Sequence, residues 1–109
     1  TLQAISQHKF ANILNNIGNS DITHNINFDL FKKFTKQFSG LDSNLTSQKE
    51  FLIKMGIKQR AEIVSRHQNF SEKANIYYRL KRLIDENQMG ALFKVMLIKN
   101  KNNKFRLGY

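Results

Sequence analysis

The sequence predicts an α/β fold with several helices and two or three strands, and three patterns indicate it. Residues 21–28 alternate between apolar and polar side chains, as a half-buried strand does. Phenylalanines recur at the spacing of an apolar helix face, at Phe28, Phe31, Phe34 and Phe38. Residues 92–98 form the most apolar stretch, and their Val, Ile and Phe content favours a strand. Strands and helices are therefore mixed along one short chain.

The N-terminal third combines an irregular segment with a strand and a helix. Residues 1–20 carry apolar side chains at partly helical spacing and end at a Gly-Asn-Ser turn, which predicts a helix or an ordered loop. The strand over 21–28 has a polar face, which consists of Asp21, Thr23, Asn25 and Asn27. The phenylalanine stripe predicts a helix that begins after Asn27, as N-cap, and is closed by Gly40.

The middle of the chain is predicted to be helical. Residues 41–46 form a connector or a short strand. Ser47 and Glu50 have the spacing of a capping box, so a helix starts there and stops at Gly56. A second helical stretch follows over 57–64. The same box pattern recurs at residues 69 and 72 before a longer helix, which ends at the polar residues 85–87.

The apolar run at 92–98 predicts a strand that is buried on both faces, entered through Met89-Gly90. Such a strand needs a sheet around it, but only 21–28 and residues 41–46 are available as partners. The chain also begins with Thr1 rather than Met, as in a processed chain or a piece of a longer one. We therefore expect a single partial domain over 1–109, in which residues 100–109 form a flexible basic tail.

The charge balance leaves two interpretations open. Eighteen Lys and Arg face eight acidic residues, for a net charge of +10. Such an excess is typical of proteins with anionic partners, but here the basic residues are spread along the chain as on a solvated surface. Basic and aromatic residues interleave only at 77–79 and 104–106, which argues against nucleic acid. No segment has the roughly 18 apolar residues of a membrane span.

Few patterns in the sequence carry chemistry. It has no glycine-rich phosphate loop or nucleophile elbow, and it has no cysteine. The three histidines, His8, His24 and His67, are not spaced as zinc ligands. The polar face of residues 21–27 is the strongest candidate, because ligands of open α/β sheets bind beyond the carboxyl ends of strands. Its alternative role is to cap the next helix and contact solvent.

Four motifs in one order resemble a known family. They are "TLQAISQH", "DITHNINF", "SQKEFLIKMGIKQRAE" and "RLIDENQMGALFKV". Together they are similar to the C-terminal part of the MidA-type methyltransferases, which are S-adenosylmethionine-dependent enzymes. Mitochondrial members are complex I assembly factors that methylate an arginine of a complex I subunit. The resemblance covers about residues 1–98. It departs where the family has His and Asp, since this chain has Asn25 and Asn27, and where prolines are replaced by Ile13, Ile17 and Glu86.

The resemblance implies the C-terminal half of a class I, Rossmann-like methyltransferase sheet. The family binds S-adenosylmethionine through an N-terminal glycine-rich loop that is not in this sequence, so we expect this chain alone to bind no cofactor and to be inactive. The implied partners are a protein substrate and either an N-terminal half or a second copy, in a bacterial cytoplasm or a mitochondrial matrix. Residues expected on the substrate side are His8, Thr23, Asn25, Asn27 and Gln48. The alternative function is a non-enzymatic basic module that binds RNA or an acidic protein.

Overall fold

A computed structural model describes residues 2–15 and 17–109. These residues divide into two compact units, 1–31 and 32–109, where the sequence predicts one partial domain. The elements in chain order are β1 (Gln3–Ser6), β2 (Lys9–Ala11), β3 (Asp21–Thr23), α1 (Phe28–Thr35), β4 (Leu41–Ser47), α2 (Gln48–Lys54), α3 (Ile57–Ser65), α4 (Phe70–Ile84), α5 (Met89–Leu92) and β5 (Lys94–Asn100).

The first unit contains a three-stranded antiparallel sheet in the order β2-β1-β3. Ala4, which is only 1% exposed, lies in the central strand and is paired with Ala11 on one side and Ile22 on the other. The predicted helix or loop at the N-terminus is therefore wrong for β1 and β2. The chain reverses at Gln7 and His8, whose φ angles of 49° and 61° suit a two-residue hairpin turn. This tight reversal prevents the partly helical spacing from forming a helix.

Strand β3 is shorter than predicted, because a helix cap follows it. It covers only Asp21–Thr23, and α1 begins at Phe28. The backbone N–H of Leu30 donates to Asn27 Oδ1 over 3.0 Å, as the N-cap prediction requires. The predicted end of α1 is wrong: the helix stops at Thr35, five residues before Gly40, so Gly40 does not cap it.

In the second unit, the four helices α2 to α5 lie in sequence between two paired strands, β4 and β5. β4 and β5 form an antiparallel ladder from Leu41 opposite Asn100 to Ser47 opposite Lys94. The predicted helix starts are correct. Ser47 Oγ accepts from the N–H of Glu50 at 3.2 Å, and Asn69 Oδ1 accepts from the N–H of Glu72 at 2.9 Å. The two short helices α2 and α3 are separated by Gly56, at a φ of 82° that favours glycine.

The apolar run near the C-terminus differs from its prediction in two ways. β5 is half-exposed in this chain rather than buried on both faces, and Ile98 keeps 45% of its surface accessible. Met89-Gly90 does not enter the strand directly but belongs to α5, a single helical turn. Gly90 lies against the end of α4, since a Cβ built on it would lie 2.5 Å from the carbonyl oxygen of Ile84. This close approach turns the chain before β5 begins.

The end of the chain contacts α2, although residues 100–109 are predicted to form a flexible tail. The aromatic rings of Phe51 and Tyr109 meet edge to face with their centroids 5.8 Å apart. Gly108 is buried at a φ of 80°, and a Cβ at this position would lie 2.5 Å from the ring of Phe51. The last two residues therefore pack on α2, while the flexibility of the segment as a whole stays a prediction.

Little of the described chain forms a hydrophobic core. The buried apolar residues are Ala4 and Ala61, and none of the large side chains described is fully buried. Large apolar side chains are instead exposed on α1, α3 and α4, and Phe70 keeps 87% of its surface accessible. None of the helices in the described ranges is long and apolar enough to span a bilayer.

Candidate functional site

The residues predicted to line a substrate site lie in both units. His8, Thr23, Asn25 and Asn27 belong to the first unit, and Gln48 belongs to the second. The resemblance groups them into one site, and each unit positions its own members.

Within the first unit, His8 lies far from the other predicted residues. Thr23 is paired with Gln3 at the start of β1, whereas His8 lies in the turn after Ser6 at the end of the same strand. A strand rises about 3.3 Å per residue, so the two positions are separated by roughly the length of β1, about 13 Å. His8 does not share a surface with Thr23 at one end of the sheet.

Residues 23–27 form an exposed polar segment between β3 and α1. The ring Nδ1 of His24 lies 3.2 Å from the carbonyl oxygen of Asn25 and donates to it in the tautomer protonated at that atom. Asn27 uses its side-chain oxygen to cap α1. Thr23 and Asn25 are also exposed, so a bound molecule can reach their hydroxyl and amide groups.

Gln48 is held by its own unit. Its side-chain Nε2 donates to the carbonyl oxygen of Leu83 over 2.9 Å, near the C-terminus of α4. Its backbone N–H donates to the carbonyl oxygen of Phe93, also over 2.9 Å. Gln48 therefore joins the start of α2 to the end of α4 and to the entry of β5, which gives it a structural role in this unit.

A salt bridge lies beside Gln48. Lys49 Nζ and Glu86 Oε1 are 2.5 Å apart, and both side chains are accessible to solvent. The hydrogen bond to Glu86 raises the pKa of the Lys49 ammonium, with smaller contributions from other nearby carboxylates. The pair connects α2 to the loop after α4.

A cavity of about 310 Å³ lies beside α2, and no pattern in the sequence predicts it. Glu50, Lys54, Arg106 and Tyr109 contribute to its lining, and Thr46 Oγ1 donates to Glu50 Oε2 over 2.7 Å. The cavity depends on the C-terminal residues contacting α2. This contact joins segments far apart in the sequence, and no local pattern predicts it.

The described residues show no place for a metal ion, and the chain's own residues do not fit a nucleotide-type cofactor loop. No group of three or more His, Asp or Glu in the ranges 2–15 and 17–109 is placed to hold a metal. The five glycines are isolated in the sequence. Gly90 and Gly108 are needed for close contacts with Ile84 and Phe51, not for the approach of a ligand.

Similarity to known proteins extends over the whole chain. Residues 1–47 match the model of a family described as "Putative S-adenosyl-L-methionine-dependent methyltransferase". A crystal structure of an uncharacterised protein from Burkholderia thailandensis is 28% identical, with a TM-score of 0.73. A second structure, from the same organism and superfamily, is described as a "likely methyl transferase" bound to S-adenosyl-homocysteine, and it has the same identity and TM-score. Both comparisons support a methyltransferase family.

The similarity covers 99% of this chain but only 29% and 28% of the two solved chains. This chain therefore spans less than a third of the length of the structures that it matches. The predicted fold class is confirmed: the chain is mixed α/β with methyltransferase-like neighbours, consistent with the C-terminal half of a class I fold.

Proposed function

We propose that this chain supplies the C-terminal, substrate-side part of a class I S-adenosylmethionine-dependent methyltransferase. The observation that carries the proposal is the match of nearly the whole chain, at a TM-score of 0.73, to a structure bound to S-adenosyl-homocysteine. S-adenosyl-homocysteine is what remains of the methyl donor after transfer. In this proposal the donor is held by residues outside this chain, because the glycines present here do not form a cofactor loop.

The exposed surface of the chain supports a role as part of a larger body. Its accessible area is 9033 Å². A compact monomer of this mass exposes about 6,300 Å², and two separate compact bodies of the size of its two units would expose about 7,400 Å². The excess, whatever the arrangement of the units, is about 1,600 Å², roughly twice the 800 Å² or so that one partner buries in a standard protein interface. Large exposed apolar areas of this kind mark surfaces that another protein covers.

The finer proposal concerns the methyl acceptor. The MidA-type resemblance supports a protein arginine as acceptor and, in mitochondria, a role in complex I assembly. A guanidinium presents five N–H donors, so its binding requires acceptor oxygens. The exposed Thr23 hydroxyl and Asn25 amide offer such oxygens. During transfer, an arginine nitrogen forms a bond to the methyl carbon, the sulfur–carbon bond breaks, and the nitrogen loses a proton.

The residues at 25 and 27 limit what this segment can do in that reaction. An asparagine amide does not accept a proton near neutral pH, so Asn25 and Asn27 can orient the acceptor but cannot deprotonate it. The proton must go to a group outside these two positions. By the same resemblance, the enzyme works in a bacterial cytoplasm or a mitochondrial matrix.

Calorimetry on the isolated chain tests this proposal. Titration with S-adenosylmethionine should give no saturable heat, since the donor site lies elsewhere in the proposed enzyme. Co-expression with the preceding part of a class I methyltransferase, including its glycine-rich loop, should yield a soluble complex that does bind the donor. Tight saturable binding by the isolated chain would contradict the proposal that it is only the substrate-side part.

The basic charge supports a second candidate, a non-enzymatic module for RNA or an acidic protein, because the net charge is +10. Binding of this kind weakens steeply as salt rises. Chromatography on an immobilised polyanion at physiological salt separates the candidates. Retention comparable to that of a known RNA-binding domain would favour the module, and elution with the void volume would exclude it.

A further inference from the structure

A basic cavity lies between the end of α1 and the start of β4, within the second unit. Its volume is about 200 Å³, and its polar lining consists of Lys32, Thr35, Lys36, Asp42, Ser43 and Lys101. A water molecule occupies about 30 Å³ of liquid, so the cavity has room for a small tetrahedral anion with some of its hydration. Three ammonium groups and one carboxylate give it a formal charge of +2.

The backbone brings the three lysines together. Lys32 and Lys36 are four residues apart and therefore lie on the same side of the chain as α1 ends. Lys101 follows β5, and its N–H donates to the carbonyl oxygen of Gly40 over 2.9 Å. Like charges four residues apart in a helix repel one another, so a bound anion would relieve an unfavourable interaction.

Two hydroxyl groups line the same cavity. Thr35 is only 5% exposed, and its Oγ1 lies 3.0 Å from the carbonyl oxygen of Lys32 and 3.1 Å from Ser43 Oγ. Each hydroxyl has a single proton. When Thr35 donates to Ser43, the Ser43 proton is available for a ligand, while the Lys32 carbonyl still accepts from the N–H of Lys36 at 3.3 Å. The pair can therefore offer a hydrogen bond without leaving a buried acceptor unpaired.

We propose that this cavity binds a phosphate group. Phosphate oxygens are strong acceptors. The three lysines supply donors, and the Ser43 hydroxyl supplies one more when it accepts from Thr35. The formal charge of +2 on the lining matches a dianionic phosphate. A carboxylate ligand has a charge of −1 and would neutralise only half of it. The phosphate group is either inorganic phosphate or a small phosphate monoester. Phosphate binding at this site does not depend on methyl transfer. A negative result in the phosphate experiments would therefore leave the proposed function unaffected.

Titration of the whole chain with phosphate tests the proposal. Backbone amide shifts of Thr35, Ser43 and Lys101 are followed by NMR as sodium phosphate replaces sodium chloride at constant ionic strength. These signals should saturate together. O-phosphoserine forms the second arm: tighter binding than inorganic phosphate identifies a monoester as the ligand, and equal or weaker binding identifies the free anion. Shifts that grow linearly without saturation in both arms would overturn the proposal.

Matched variants distinguish specific binding in the cavity from nonspecific attraction of phosphate to a basic surface. The triple change of Lys32, Lys36 and Lys101 to Gln should weaken binding by about tenfold or more, because it removes the charge-assisted hydrogen bonds. The control triple, Lys33→Gln, Lys58→Gln and Lys73→Gln, removes the same charge from exposed positions outside the cavity. It should change binding less than about twofold. Equal weakening by the two triples would contradict a specific site.

Amine labelling gives a second measurement that does not depend on a variant. Phosphate should slow the acetylation of Lys32, Lys36 and Lys101, detected by mass spectrometry, while Lys33 on the same helix reacts at an unchanged rate. Uniform rates at all four lysines would contradict the proposal.

Discussion

Asn27 caps α1, and in the proposed function it also lies on the substrate side. Its Oδ1 accepts the N–H of Leu30 at 3.0 Å, and the resemblance places the same residue at the substrate side. With that oxygen engaged in the cap, the outward part of the amide is its NH₂ group, which can only donate. By the MidA-type resemblance an aspartate is usual at this place, and in the proposed function it would keep a second oxygen for a substrate guanidinium. In the proposed function, Asn25, whose oxygen is not the one that caps α1, is therefore better suited than Asn27 to orient an arginine.

Substitutions of Asn27 test its role as the N-cap of α1. Asn27→Ala should lower the free energy of unfolding by about 1 kcal/mol, because the N-cap acceptor is lost. Asn27→Asp should preserve it or raise it by a few tenths of a kcal/mol, since a carboxylate also interacts with the helix dipole. Urea denaturation followed by circular dichroism measures both. If Asn27→Ala is as stable as the original chain, the cap does not contribute.

Short sequence patterns correctly predicted the residues that cap helices, because a cap bonds to an amide only a few residues away. The caps at Asn27, Ser47 and Asn69 are correct, because a side chain and an amide two or three residues later decide them. His8 and Gln48 show the limit. His8 lies at the far end of β1 from Thr23, and Gln48 binds the carbonyl of Leu83, a partner distant in sequence. Neither arrangement can be derived from spacing alone.

At the scale of elements, three differences between the sequence patterns and the structure share a cause. Residues 1–20 have partly helical apolar spacing, but their conformation is decided by the left-handed turn at Gln7 and His8. The run at 92–98 has the composition of a doubly buried strand, but its burial depends on neighbours that β4 alone does not supply. The 100–109 segment is polar, yet Gly108 and Tyr109 pack on Phe51. Pairing and packing between distant segments determine all three.

The contact of the C-terminal residues with α2 should depend on pH through Tyr109. Its hydroxyl is buried and finds no hydrogen-bond partner among the described residues, and burial raises the pKa of this phenol. The folded state therefore holds the proton more tightly than the unfolded state. Its contribution is fully present below the unfolded value of about 10 and is lost as the pH rises through the folded value.

A tyrosine-to-phenylalanine pair tests this contact. Tyr109→Phe removes an unpaired buried hydroxyl, so stability at pH 8 should stay the same or rise, and the loss above about pH 10 should shrink. Tyr78→Phe, at a side chain that is 62% exposed, is the control and should leave the alkaline loss unchanged. Urea unfolding at pH 8 and at a pH above about 10 measures the effect. Identical alkaline losses in the two variants would show that Tyr109 is not responsible.

At the scale of the molecule, the unburied apolar surface is the dominant feature. Ala4 and Ala61 are the buried apolar residues described, while Phe10, Phe70 and Leu92 keep more than 70% of their surface, at 79%, 87% and 72%. The chain covers only 28–29% of the length of the solved chains that it matches. We infer that the rest of such a fold covers this apolar surface. Stability on its own should therefore be low.

The isolated chain should reveal this surface in solution. A dye that binds exposed apolar patches should fluoresce more strongly with it than with a compact monomer of equal mass, and sedimentation should show association that increases with concentration. Binding of a cofactor-binding half should reduce both signals. A monomer that binds no dye would contradict the idea that a partner covers this surface.

The ladder between β4 and β5 has a kinetic consequence. Ser47 and Lys94 are opposite each other at one end, and all of α2 to α5 lies between them in sequence. Closing so long a loop costs entropy before any strand pairing repays it. The helices can form from local contacts, and the ladder should close after them as the slow step of folding. During synthesis, β4 must wait unpaired until residue 100 has left the ribosome, and over that interval its free edge is exposed to other chains.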